Sequence, residues 1–391
     1  MLTQRRTVVL ADLHIVRQTP AAVTHDLARF VAAHPGARIV VAGDLFDLSS
    51  ESPWMPRPRA LREALSAHPA ARAALAEHVD RGGELWLVGG NHDAEVGAPE
   101  FSAALLEALG VAPAARGSIR TTPWFFRDGA VHVEHGHLYD PDNAPAHPLV
   151  VGARCLGVHF VEEFIAPTGA HRFLHANDRP PLELFLASFT WYGPRAPYVI
   201  YRYFRAALGA VLSSGPFYRA GAEPAAGEAL AERFARELGI PRAMTGELLA
   251  LAATPTLESL ARTFTRLYLD RVLATLSMGA GLAALGLGRR RPGAAALALG
   301  GLLMGASWAQ GHNRYEGTVE ERLASSAARV AETTGAKLVI FGHTHREALG
   351  DGYANTGSFS FPRSAEGRPY LELAGTPEAP RAEGRYWKAE A

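Results

Sequence analysis

Short apolar, β-branched runs recur along the first third of the chain and again near its carboxyl end, and each stops at a polar cluster. Thr7 to Leu10, Arg38 to Val41, Glu84 to Val88, Val131 to Glu134 and Leu338 to Phe341 are too short for helices and predict strands. Between them the pattern turns helical. Thr19-Pro20 opens a helix running through Phe30 and Val31, Arg59 to Val79 reads as one Ala-rich helix, and Pro99 to Leu109 as a shorter one. A helix over Thr318 to Thr333 precedes the last of these strands, and Tyr353 and Tyr370 mark short later ones. Strands alternating with helices imply a layered α/β architecture.

The pattern changes over residues 149 to 313, so the expected organisation is a core in two parts, 1–148 and 314–391, around a mostly helical insertion. The gap from His135 to His343 is far longer than one crossover needs. Its first part is rich in rings and arginines, and Tyr198 to Leu212 predicts a helix carrying aromatics with Arg202 and Arg205, close after Arg195. Such a helix suits a membrane interface or a cap packed on the core. The insertion ends in two uncharged apolar stretches, Val272 to Gly288 and Pro292 to Ala309, separated by Arg289-Arg290-Arg291. At about 17 residues, roughly 25 Å as helix, each stands at the lower limit for crossing a hydrocarbon core. Gly301-Leu-Leu-Met-Gly305 is a spacing that permits close helix approach. The preferred expectation is a membrane-inserted hairpin over 272–309; a buried soluble hairpin is the other reading. A spanning hairpin on a cytoplasmic core would put three arginines on the far side, against the positive-inside rule, while Arg262, Arg266, Arg271 and Arg314 lie on the near side. A hairpin dipping into one leaflet would relieve that conflict.

Composition narrows the classes. The chain has 391 residues, 39 acidic and 39 basic, so nothing points to a nucleic-acid footprint. Cys155 is the single cysteine, which excludes a disulfide framework and a thiolate metal site. Met1 to Arg6 lead into the first strand without an apolar leader, so the expectation is a cytoplasmic catalytic core that is membrane-associated.

The polar clusters carry the chemistry. They are Asp12-Leu-His14, Gly43-Asp44, Gly90-Asn91-His92-Asp93, His135-Gly136-His137 and Gly342-His343-Thr344-His345. Side chains at the carboxyl ends of strands in one sheet converge on a crevice, and Asp, His and Asn meeting there are ligands for hard or borderline divalent metals. In this order the motifs resemble those of the calcineurin-like metallophosphoesterase superfamily, over residues 7 to about 140 and 335 to about 360. The resemblance implies an α/β fold with a double-layered β-sandwich flanked by helices, and two divalent metal ions, Mn, Zn or Fe. Carried over by motif, Asp12, His14 and His345 would hold one metal, Asn91, His135 and His343 the other, and Asp44 would bridge them.

His92 would sit over the leaving-group oxygen as a general acid or charge stabiliser, with Asp93 fixing its tautomer or simply capping the turn. His137 would bind substrate phosphate or close its turn. Asp47 reads as a structural or supporting residue, Asn355 to Ser358 as the turn shaping the loop beneath His343 and His345, and Tyr139 to Asn143 as a turn leading to the insertion. Asp12-Leu-His14, Gly43-Asp-Leu-Phe-Asp47 and His135-Gly most resemble the UDP-2,3-diacylglucosamine pyrophosphohydrolases, which implies a membrane-associated lipid substrate such as UDP-2,3-diacylglucosamine, with Arg195, Arg202 and Arg205 on its phosphates. One departure is His92, where that family usually carries Arg. A phosphatase, phosphodiesterase or nuclease acting on a soluble phosphorylated small molecule is the alternative expectation. A catalytically inactive membrane scaffold would be expected to lack a ligand, and none is missing.

Overall fold

The computed structural model describes residues 5–51, 54–151, 154–170, 172–173, 181–220, 224–309 and 318–388. Met1 to Gln4, and residues 310–317 with the expected 313/314 boundary and Arg314, lie outside the described residues. The chain divides into two compact units. One comprises Met1–Glu162, Ala222–Pro255 and Val319–Ala391, the other Glu163–Gly221 and Thr256–Thr318.

The first unit is α/β, with two mixed sheets flanked by helices. Its strands are β1 (Thr7–Leu10), β2 (Arg38–Ala42), β3 (Glu84–Val88), β4 (Ile119–Thr122), β5 (Phe125–Asp128), β6 (Val131–Glu134), β7 (Leu338–Phe341), β8 (Glu347–Leu349), β9 (Tyr353–Thr356), β10 (Arg368–Thr376) and β11 (Ala379–Trp387). One sheet has the order β11-β10-β1-β2-β3-β4 and the other β5-β6-β7-β9-β8. Neighbours β1 to β4 run parallel, as do β6, β7 and β9, so their carboxyl ends share an edge within each sheet.

Continuous apolar runs arise because these strands are covered on both faces. Val9, Val40 and Val88 of one sheet and Phe126, Val131, Val133 and Ile340 of the other share one buried cluster. The alternate residues Val8, Leu10, Ile39, Val41 and Leu87 turn the other way, onto Leu27, Phe30, Leu61 and Phe101 of the covering helices. Val339 and Phe341 likewise face away from the shared cluster, onto a second helical layer.

Three local expectations change. Arg59 to Val79 is two helices, Arg57–Ala67 and Pro69–Asp80. Pro69 has no N–H to donate and drives the preceding residue out of helical geometry, and His68 takes φ −125° and ψ 66°. The stretch from 149 to 313 is not one body. Residues 222–255 belong to the first unit, because Ala231, Phe234 and Leu248 bury against Trp124, Phe125 and Phe341. The later strands include β10, nine residues long, paired with β11, which its charged sequence concealed.

In the second unit the expected apolar stretches form helices Leu269–Gly286 and Arg290–Ala309. Their close approach uses Gly281, Gly293 and Gly300. A Cβ on Gly281 would come 2.8 Å from the Gly293 carbonyl oxygen, and one on Gly300 would come 2.7 Å from that of Ala274. Gly301 and Gly305, the expected contact pair, instead face open space. Leu273, Leu276, Leu282, Leu299, Leu302 and Trp308 point outward and are exposed. Helix Ala196–Leu212 buries Val199, Ala206, Ala207 and Ala210 and leaves Tyr201, Leu208 and Leu212 exposed.

Phe126 lies between the sheets, edge-on to Trp86 at a centroid distance of 4.7 Å. Phe126→Ala should cost about 3–5 kcal/mol, read as a lower urea midpoint by circular dichroism. An unchanged midpoint would mean that this cluster does not hold the sheets together.

Candidate metal centre

Every predicted ligand stands one to four residues beyond the end of β1, β2, β3, β6 or β7. The backbone there is unusual. Among the described residues, non-glycine positions with positive φ are Asp12 (55°), His14 (48°), Asp44 (52°), His343 (71°), His345 (55°) and Tyr268 (56°). A left-handed conformation costs an L-residue roughly 1–2 kcal/mol, and such outliers gather where function requires them. Hydrogen bonds hold the strain in place. Leu13 N and His14 N both donate to the Asp44 carbonyl, at 2.9 and 3.0 Å, and Ser358 Oγ donates to the Asp12 carbonyl at 2.8 Å. Asn355 Nδ2 donates to the Gly342 carbonyl at 2.7 Å, so the Asn355 turn does support the loop bearing His343 and His345.

The motif glycines make room for the ligands. A Cβ on Gly90 would lie 2.0 Å from Asp44 Oδ1, and one on Gly43 would enter the His135 ring at 2.4 Å.

Three tight groups of side chains could each hold a metal ion: Asp12, His14 and His345; His14, Asp44 and His92; and Asp12, Asp44 and His135. Ligands about 2.1 Å from one cation stand roughly 3.0–3.4 Å apart in octahedral or tetrahedral geometry. Four separations match: His14 Nε2 to His345 Nε2 is 3.2 Å, His345 Nε2 to Asp12 Oδ1 is 3.3 Å, His135 Nε2 to Asp44 Oδ2 is 3.2 Å and His135 Nε2 to Asn91 Oδ1 is 3.1 Å, while His14 Nε2 stands farther, 3.9 Å, from both Asp12 Oδ1 and Asp44 Oδ2. Asp12 Oδ1 is buried yet makes no hydrogen bond among the described residues. A buried carboxylate oxygen without a donor suits a cation. His135 Nδ1 lies 2.9 Å from the Ala42 carbonyl, which assigns the proton to Nδ1 and turns Nε2 to the centre.

Burial and the neighbouring carboxylates set the protonation of these histidines. Burial lowers His14 to about 4 with help from the neighbouring His92 and His345, so its ring is neutral, as a ligand requires. Burial also opposes charge on His135, but Asp44, by charge and hydrogen bond, and Asp12 push it up to about 10. The same histidines hold the Asp44 carboxyl well below its usual range against the burial that would raise it.

Not every expected residue takes its expected place. Asp93 does not touch the His92 ring. It is fully buried and accepts from Gly90 N at 2.9 Å, Phe46 N at 3.1 Å and Asp44 N at 3.2 Å, tying the Asn91 loop to the Asp44 loop. The residue that orients His92 is Asp47, whose Oδ1 lies 2.8 Å from His92 Nδ1, with Ser49 Oγ at 2.9 Å from the same nitrogen. Asp47 lies 45 positions before His92, just ahead of the 3₁₀ turn Leu48–Glu51, and only folding shows that the two face each other. Burial lowers His92, yet Asp47 and Asp44 raise it to about 9. His343 is outside the three tight groups. Its ring is 5.1 Å from that of His135, and its Nε2 faces Asp140 Oδ2 at 3.0 Å, a partner that the sequence pattern did not suggest. His137 is buried with Nδ1 unpartnered among the described residues, and burial together with His135 and His343 holds it well below its ordinary pKa. Arg195, Arg202 and Arg205 belong to the second unit. Arg195 Nη2 donates to the Thr168 carbonyl at 3.1 Å and Arg202 Nη2 to the Glu163 carbonyl at 2.7 Å, while Arg205 is exposed.

Compared with known proteins, the chain matches no family model and no curated protein. The reading of the centre therefore rests on its own geometry.

His135 must lose a proton to become a ligand, and its folded pKa is about 10. Metal uptake by the metal-free protein should therefore release protons below that pH, with affinity rising up to about tenfold per pH unit for each proton displaced. Titration with Mn²⁺ by calorimetry in buffers of different ionisation heat measures this. An affinity independent of pH between 6 and 9 would contradict the assignment of His135.

Proposed function

We propose that the chain is a two-metal hydrolase of a phosphoester or pyrophosphate bond, with the double-layered β-sandwich of the calcineurin-like metallophosphoesterases, acting on a lipid-linked substrate at a membrane. The observation that carries the reading is the Asp44 carboxylate. It is buried, and its Oδ2 is shared by His135 Nε2 at 3.2 Å and His14 Nε2 at 3.9 Å, histidines delivered by different strands. A carboxylate approached from two sides by ligand sets is what a bridged cation pair needs. By donor type the cations are Mn, Zn or Fe. Asp12, His14 and His345 would hold one, Asn91, His135 and His343 the other. When bound, such a pair supplies Lewis acidity toward a phosphoryl oxygen and lowers the pKa of an attacking water.

The remaining steps belong to side chains. His92 Nδ1 faces Asp47, so the proton on Nε2 is the one available to the leaving oxygen. A pKa raised to about 9 keeps that proton on at neutral pH, and cations at Asp44 would bring it down toward the working range by weakening the carboxylate's field. Asp93 positions Asp44 and Asn91 through three backbone N–H groups.

The membrane side of the proposal is supported by the inversion of the second unit. Between helices Leu269–Gly286 and Arg290–Ala309 glycine and alanine make the contact, while Leu273, Leu276, Leu282, Leu299, Leu302 and Trp308 face outward. In water the leucines would be the buried partner; in lipid, small residues mediate helix contact and large apolar ones meet the chains. Leu269–Gly286 and Arg290–Ala309, 18 and 20 residues long, reach about 27–30 Å as helix, enough for a hydrocarbon core. A cytoplasmic core attached by this hairpin would meet UDP-2,3-diacylglucosamine or a similar amphiphile at the membrane surface, with Arg195, Arg202 and Arg205 as candidate phosphate ligands. A soluble-substrate phosphoesterase is the second reading, favoured by His92 standing where the lipid-specific enzymes usually carry Arg.

Asp44→Ala should abolish metal-dependent hydrolysis, since both cations lose a ligand. His92→Ala should slow turnover by about 10²–10⁴-fold with metal content intact, and Asp47→Asn should lower the pH at which the acidic group is lost. Full turnover by Asp44→Ala with Mn²⁺ supplied would sink the mechanism.

Replacing residues 272–309 by a Gly-Ser linker should move the protein from the membrane to the soluble fraction. The intact chain should prefer UDP-2,3-diacylglucosamine over a short-chain analogue and an aryl phosphate. Equal rates on all three, with equal partitioning of both proteins, would leave the soluble-substrate reading.

A further inference from the structure

The turn after the third histidine motif contains polar side chains that the proposed reaction does not use. Asp140 is buried, and its Oδ2 lies 3.0 Å from His343 Nε2 while accepting from Asn143 Nδ2 at 2.7 Å. Its Oδ1 accepts from Asp142 N at 3.0 Å, and Ala144 N donates to the Asp140 carbonyl at 2.7 Å, which closes the turn. Asn143 reaches on to the centre, where Asn91 Nδ2 donates to Asn143 Oδ1 at 3.3 Å. The chain His343–Asp140–Asn143–Asn91 is therefore continuous, and its two ends are expected ligands of the same cation.

We infer that the Asp140 to Asn143 turn is a positioning element for that second cation, selecting the ring nitrogen of His343 and the amide atom of Asn91 offered to it. A carboxylate oxygen only accepts, so Asp140 fixes the His343 proton on Nε2 and leaves the Nδ1 lone pair for the metal. The same carboxylate orients the Asn143 amide with nitrogen toward Asp140 and oxygen toward Asn91. That oxygen accepts from Asn91 Nδ2, so Asn91 Oδ1, the atom that can ligate, faces His135 Nε2 at 3.1 Å. One carboxylate thus sets two ligands, as outer partners of metal sites do. Gly157 fits the scheme: its N–H donates to the Asp142 carbonyl at 2.9 Å, and a Cβ there would lie 2.0 Å from Asn143 Oδ1.

The inference rests on the two-metal reading, and the test separates them. Full-length wild type, Asp140→Ala, Asp140→Asn and Gly157→Ala are stripped of metal, titrated with Co²⁺, and followed by metal analysis and by the visible Co²⁺ spectrum. Wild type should take up two cations per chain. Asp140→Ala and Gly157→Ala should keep one and bind the other about 10–100-fold more weakly, with loss of that ion's absorption bands. Asp140→Asn, which retains one acceptor, should recover part of the affinity. Each variant should bind its first cation with wild-type affinity, which a general loss of structure through the turn would not allow. Two cations bound with wild-type affinity in Asp140→Ala and Gly157→Ala would overturn the inference while leaving the two-metal reading intact. Fewer than two in wild type would overturn both.

Discussion

The buried carboxylate of Asp44 is the constraint around which the first unit is arranged. A charge taken out of water costs several kcal/mol unless groups of opposite sign are fixed around it. His135, His14 and His92 surround Asp44 from three strand ends, and the His92 backbone N–H donates to its Oδ1 at 3.0 Å. Such crowding leaves no space for a Cβ at Gly90 or Gly43. It also forces Asp12, His14, Asp44, His343 and His345 into left-handed backbone, which Asp93, Ser358 and Asn355 hold through hydrogen bonds to neighbouring main chain. Strain, glycines and buried acceptors follow from one requirement: polar side chains from five strand ends, groups of which could hold a metal ion, must meet within a few ångströms.

The two units solve the burial problem in opposite ways. In the first, Phe30, Phe101, Trp124, Phe126 and Phe341 are inside and the helices' charged faces are outside. In the hairpin of the second, Gly281, Gly293, Gly300 and Ala274 are inside while Leu273, Leu276, Leu282, Leu299, Leu302 and Trp308 are outside, although Phe164, Leu257, Leu267 and Tyr268 elsewhere in that unit are buried. The hydrophobic effect in water favours the first pattern. In the hairpin of the second, packing of small residues is what joins the two helices. The proposed attachment to lipid gives both patterns their proper solvent.

Strand positions were legible because strands buried on both faces are continuous apolar runs, and β1, β2, β3, β6 and β7 lie within a residue of where the pattern put them. The polar motifs that meet at the strand ends were legible because glycine, aspartate and histidine crowd directly after such runs. Less visible were β10 and β11, whose exposed faces carry charges, and the break at Pro69, which the Ala-rich periodicity on either side overrode.

Sequence alone determined the α/β layering, the polar motifs at the strand ends and the two apolar helices, since each of these is written in local periodicity or in a short motif. Tertiary structure decided which partner each of those residues has. That His92 leans on Asp47 and not Asp93, that Asp140 faces His343 across 203 positions, and that residues 222–255 belong to the first unit are facts about distant segments brought together by burial. No local pattern encodes them, because a hydrogen-bond partner is chosen by where the packed core leaves each chain end, and that depends on the whole fold at once.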